Sequence, residues 1–228
     1  MSTTKAKAST ARSAKKKTQT AAPTILAPTA APTICTTPQL PSLSPQSPMP
    51  VSNCATIFTL LEDFENIPLT GWTNGFLDTT STQQFTSFLG RYVSQMLPEK
   101  LYISIPTTAS MLKFEFDFYE IDSWNDDWFN VVINCVTIPL GNFEFVTDEG
   151  TREGDVEDVH FKTQSLGPPL NMGFDAYPDQ THHVTINLPG RFVNGFLKVR
   201  FESGLDQKID NESFGIDNIQ ITAYQCGM

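Results

Sequence analysis

The sequence predicts an all-β domain, an antiparallel sandwich or barrel, carried behind a disordered N-terminal arm. Three observations lead there. From residue 51 onward, apolar and polar residues alternate in roughly nine or ten short runs. Turn-forming residues separate these runs, and no stretch carries the three-to-four-residue spacing of an amphipathic helix. All 17 phenylalanines lie after residue 50, so this part has the apolar bulk for a core and the first 50 residues do not.

Residues 1–50 form the arm and residues 51–228 the domain. The arm holds six basic residues (Lys5, Lys7, Arg12, Lys15, Lys16, Lys17) and no acid, a charge of +6 against −16 for the rest, which together make the chain's −10. Poor in large apolar groups, it cannot offset its own ordering entropy and is expected to be disordered. Prolines at 23, 28, 32, 38, 41, 45, 48 and 50 favour extended linker segments. A basic arm on an acidic body implies different partners for the two parts. Residues 5–17 suit a weak, salt-dependent contact with nucleic acid, as in the arms of viral jelly-roll capsid proteins, or a contact with a neighbouring subunit.

The first strand is expected over Thr56–Phe64 and a polar loop over 73–87. Phe88–Tyr92 is short and apolar, and Lys100–Pro106 alternates. Met111–Tyr119 is the clearest strand, with Leu112, Phe114, Phe116 and Phe118 on one side and Lys113, Glu115, Asp117 and Tyr119 on the other. An acidic loop is expected at Ile121–Asp127, followed by strands at Trp128–Val136 and Ile138–Val146. Asp148–Asp158 reads as a loop and His160–Gln164 as a strand. Three further strands follow at His182–Leu188, Gly195–Glu202 and Phe214–Tyr224.

Cys54 and Cys226 bracket the domain and are the candidate disulfide. With Cys35 and Cys135, three full pairings stay open, as do four free thiols in a reducing compartment. No apolar run reaches the ~18–20 residues of a membrane helix, and no secretory signal is evident. A surface or virion location is nevertheless expected.

Catalytic signatures are sparse. The chain has no HExxH, GxSxG, P-loop or CxxC. His182 and His183 are adjacent, so they point to opposite faces of a strand and make poor joint ligands. Glu120-Ile121-Asp122 resembles the start of the ExDxxE signature of the laminarinase and agarase group of sandwich hydrolases. The third acid would fall at Asn125, which cannot shuttle a proton, so the chain is expected not to be an enzyme.

Two short motifs carry a resemblance. Asp63-Phe64-Glu65 with Gly71-Trp72, and the closing Gly215-Ile216-Asp217-Asn218-Ile219, resemble the two ends of jelly-roll carbohydrate-binding modules and MAM-type adhesion domains. Phe116–Tyr119, Ile121–Trp124 and Asp210–Asn218 resemble sandwich domains of secreted bacterial and algal surface proteins. The first resemblance implies a jelly-roll sandwich and a structural calcium held by an early carboxylate and a late aspartate. Asp63, Glu65 and Asp217 are the expected ligands, with 63 and 65 on one side of a strand. A second acidic group, Asp122, Asp126, Asp127, Asp210 and Glu212, is a further candidate. Trp124, Trp128 and Tyr119 are the expected ligand-binding aromatics, the two tryptophans exposed beside the acidic loop. Asn211-Glu212-Ser213 is an N-glycosylation sequon, expected to stay unmodified inside a cation loop.

The functional expectation is a non-catalytic, calcium-stabilised module that recognises a glycan or a protein surface. The alternative is a structural jelly-roll protein, homo-oligomeric or virion-associated, whose arm meets nucleic acid or a neighbour.

Overall fold

The computed structural model describes residues 53–65, 69–79, 86–171, 177–193 and 195–227. The expectations for the arm, including its basic run and its prolines, lie outside the described residues.

Among the described residues thirteen strands follow one another: β1 (Cys54–Glu62), β2 (Trp72–Thr73), β3 (Leu77–Asp78), β4 (Phe88–Tyr92), β5 (Glu99–Ser104), β6 (Met111–Asp122), β7 (Asn125–Ile133), β8 (Val136–Glu144), β9 (Thr151–Val156), β10 (Val159–Ser165), β11 (Gln180–Pro189), β12 (Phe196–Ser203) and β13 (Glu212–Cys226). They form two antiparallel sheets. The larger runs β3-β4-β13-β6-β11-β10-β9, and the smaller β2-β5-β12-β7-β8. Strands β4, β13, β6 and β11 in one sheet and β5, β12, β7 and β8 in the other are connected as a jelly roll, the chain crossing between sheets after β4, β5, β6, β8, β11 and β12. The β9–β10 hairpin widens the larger sheet beyond β11.

The inward side of β6 is the one its alternation predicts. Leu112, Phe114, Phe116 and Phe118 are buried between the sheets. Phe118 stacks on Phe129 of β7 at 4.1 Å, and Phe116 meets Phe201 of β12 at 5.1 Å. Each such ring removed from water contributes roughly 1.5–3 kcal/mol before entropy is counted.

The long strand β13 holds the larger sheet together. One edge pairs with β6; the other pairs with β4 through Phe214–Ile216 and with β1 through Ile219–Cys226. Its register slips between Asp217 and Gln220, where Asn218 takes φ 51°. The extra residue lets Ile216 and Ile219 both enter the core while Asp217 stays on the outer face. Cys54 and Cys226 stand opposite each other in the β1–β13 pairing and form a disulfide. Cys135 is disulfide-bonded as well.

Several strands extend past the expected limits. The connection after β6 is only Ser123–Trp124, because the acidic run on either side is strand. The expected loop at Asp148–Asp158 contains β9, and 73–87 contains β3.

Candidate functional site

Three places gather the chain's polar and aromatic groups. The first is the outer face of the larger sheet at Asp217. Asp217 stands opposite Asp117 of β6. Tyr119 donates its hydroxyl to Asp217 Oδ2 at 2.8 Å, and the Asn218 amide donates to Oδ1 at 2.7 Å. Asn218 Nδ2 donates to Asp117 Oδ2 at 2.8 Å, and His183 Nδ1 lies 2.8 Å from Asp117 Oδ1. Burial raises Asp217 to about 7. The two hydrogen bonds work against that, and the charges of Asp117 and Glu65 add to it. Glu65 Oε1 accepts the Ser87 amide at 3.0 Å.

Two expectations at this place need correction. Residues 63 and 65 do not share one side of a strand, because β1 ends at Glu62 and Phe64 turns the chain at φ 56°. Asp63 instead accepts the Glu65 amide at 3.2 Å and caps that turn. Tyr119 is not a ligand platform. It is 7% exposed, edge-on to Phe88 at 5.2 Å, with its hydroxyl spent on Asp217. Among the described residues no three His, Cys, Asp or Glu side chains are grouped to ligate a metal.

The second place lies between the sheets. Asp122 and Glu212 face each other across β6 and β13, both fully buried. The Asp122 amide donates to Asp179 Oδ1 at 2.9 Å. Glu212 Oε1 accepts the Gln207 amide at 2.5 Å. Burial raises the Glu212 pKa; hydrogen bonds from the Gln207 and Asp206 amides counter it, and the charges of Asp127 and Asp206 raise it further. Asp126 and Asp210 do not join this group. Asp126 is exposed and accepts Asn142 Nδ2 at 3.1 Å, and Asp210 is exposed 3.8 Å from Arg91. Asp127, a candidate from the sequence, does act on Glu212 through its charge, and Asp206 of the connection before β13 acts on it as well.

Glu120 is the neighbour of this group on the same inward side of β6. Its Oε2 lies 2.9 Å from His182 Nε2, and His182 Nδ1 lies 3.4 Å from Ser165 Oγ. Burial moves Glu120 up to about 8 and His182 down to about 3. Glu120 and Asp122 are fully buried in the sandwich, so a sugar chain on the surface does not reach either. His183 points the other way, as the strand alternation requires.

The third place is the outer face of the smaller sheet. Trp128 of β7 is 43% exposed. Its indole lies against Gly204, just past β12, where an added Cβ would come within 2.6 Å of Nε1. The indole is therefore seated against backbone at Gly204 while the residue keeps a large exposed surface. Asn142 stands opposite Trp128 on β8, and Asn130 stands opposite Glu202 on β12. Arg200 Nε donates to Glu202 Oε1 at 2.7 Å. Farther along, Tyr102 and Phe196 pair at 5.8 Å, and both are exposed.

No family model, curated protein or solved structure matches this chain.

Trp124 is not the exposed partner of Trp128. It is wholly buried, donates Nε1 to the Ser213 carbonyl at 2.8 Å and packs on Phe118 at 5.4 Å. A two-residue connection between β6 and β7 leaves its side chain no route outward. Trp72 is likewise packed, stacked on Phe201 at 6.3 Å with Nε1 donated to Glu62 at 3.1 Å. Gly204 was the signal available for the platform, a glycine directly after a strand, but its partner is 76 positions away (Trp128 to Gly204). No helix among the described residues is long and apolar enough to cross a membrane.

Proposed function

We propose that this chain is a non-catalytic recognition module that binds a glycan on the outer face of its smaller sheet. The observation that carries the reading is Trp128 lying on Gly204. A sugar ring has an apolar C–H face, and an indole seated against backbone with a large exposed surface suits it. Asn142 stands opposite Trp128, and Asn130, Glu202 and Arg200 lie farther along the same outer face, with donors and acceptors for hydroxyl groups. The resemblance of the chain's two ends to jelly-roll carbohydrate-binding modules supports the same reading. Calcium belongs to it as a structural ion at Asp217 and Glu65, where a hard cation would relieve the mutual repulsion of the carboxylates.

The test is binding of the full chain to a glycan array and to insoluble polysaccharides, with and without Trp128→Ala. Binding to a defined glycan class that disappears in the variant is the expected result. Binding unchanged by Trp128→Ala would remove this face from the reading.

The charge split favours a second reading, a structural protein whose +6 arm contacts nucleic acid or a neighbouring copy. Particles or symmetric oligomers in light scattering, with salt-sensitive nucleic-acid binding lost on deleting residues 1–20, are what it expects.

A further inference from the structure

Asn211-Glu212-Ser213 is the chain's sole Asn-x-Ser/Thr triplet. The structure puts its asparagine and its serine in opposite situations. Asn211 is exposed on the turn that leads into β13. Its amide donates to the Lys208 carbonyl at 2.8 Å, and its own carbonyl accepts Ser123 Oγ at 2.7 Å, so the backbone is fixed and the side chain faces out. Asn211 Nδ2 donates to Gln207 Oε1.

Ser213 is fully buried, and its Oγ has no hydrogen-bond partner among the described residues. A buried hydroxyl without a partner costs the fold stability, so alanine would serve this position at least as well. The hydroxyl has a use only if it acts before the strand docks. The Cys54–Cys226 disulfide supplies the setting, because disulfides form and persist in oxidising, secretory compartments, where asparagine-linked glycans are also added.

We propose that Asn211 is an N-glycosylation acceptor, modified before β13 closes the larger sheet. The donor is an oligosaccharide linked to a lipid diphosphate. The Asn211 Nδ2 forms the new bond to the sugar's C1, the C1–O bond to the diphosphate breaks, the lipid diphosphate leaves and the amide gives up one proton. Ser213 provides the hydroxyl that the transferase reads two positions on, and it withdraws into the fold when β13 pairs with β6.

The experiment uses the full chain, fused behind a secretory leader and translated with endoplasmic-reticulum microsomes. The expected product carries one glycan, removable by peptide N-glycosidase with conversion of Asn211 to aspartate. Asn211→Gln and Ser213→Ala lose it, and Ser213→Thr keeps it. A translocated, protease-protected chain without a glycan overturns the proposal, as does a glycan that persists in Asn211→Gln. Transfer precedes folding, so a variant that fails to fold still reports. Without the glycan, Ser213→Ala melts no lower than the parent; a large drop would give the hydroxyl a structural role and remove the argument for the sequon.

Discussion

Glu120 Oε2 and His182 Nε2 lie 2.9 Å apart between the two sheets, and neither side chain is exposed. Burial favours the neutral form of both, raising Glu120 to about 8 and lowering His182 to about 3. A neutral Glu120 donates its O–H to His182 Nε2, which leaves Nδ1–H directed at Ser165 Oγ.

The pair makes stability depend on pH. Glu120 holds a proton in the fold that it loses in the unfolded chain, so its contribution is complete below about 4.5 and is lost as pH rises through about 8. Asp217, raised from 3.8 to about 7, acts in the same direction. His182 acts oppositely, favouring the fold more as pH rises from about 3 to 6.5. Above 6.5 only the falling contributions remain. With chelator present, the melting temperature should drop between pH 6.5 and 8.5, and Glu120→Gln should flatten that drop. A flat profile in the parent protein would show that Glu120 ionises normally.

The disulfide should matter more than the edge position of β1 suggests. It links residues 172 apart, and a loop that long removes much entropy from the unfolded chain. Replacing Cys54 and Cys226 together with serine should lower unfolding free energy by about 3–5 kcal/mol. Denaturant titration of both forms measures it. A loss under ~1 kcal/mol would mean that the β1–β13 pairing already holds the ends without the bond.

These predictions draw unequally on the sequence. The alternation of Met111–Tyr119 was enough to place β6 and its inward phenylalanines, because a strand with one buried face shows its period directly. The hairpin strand β9 was not legible, since Thr151–Val156 is only half-buried and has no apolar side to alternate. Trp124 sits beside acids and reads as exposed, yet the Ser213 carbonyl that receives its N–H is 89 positions away. The acidic group at Glu212 was found, but its membership only in part. The charge of Asp127 bears on Glu212, whereas its neighbour Asp126 faces out toward Asn142, a difference that local spacing does not encode.

The platform itself is open to a test that leaves Trp128 in place. A methyl group at position 204 would stand 2.6 Å from the indole Nε1, closer than such contacts allow, so Gly204→Ala should tilt the ring off the sheet. Glycan affinity should fall at least tenfold, about 1.4 kcal/mol, with the melting temperature little changed. Calorimetric titration with a ligand found on the array checks it. Unchanged affinity would mean that the ring's seat on Gly204 is unimportant to binding.

Calcium is testable at Asp217 through the same pKa that destabilises the fold. A carboxylate must be ionised to ligate a hard cation, and Asp217 is half-protonated near pH 7. Calcium should therefore raise the melting temperature more at pH 8 than at pH 6. At a hundredfold excess over its dissociation constant the gain is about 2.7 kcal/mol. Asp217→Asn should abolish the response while keeping an acceptor for the Tyr119 hydroxyl, and Glu65→Gln should weaken it. Asp63→Asn should leave it intact, since Asp63 caps a turn through the Glu65 amide and does not face Asp217. Differential scanning calorimetry with calcium and with chelator separates these cases. If the two conditions give the same melting temperature at pH 8, no calcium is held there and the carboxylates are balanced by protons alone.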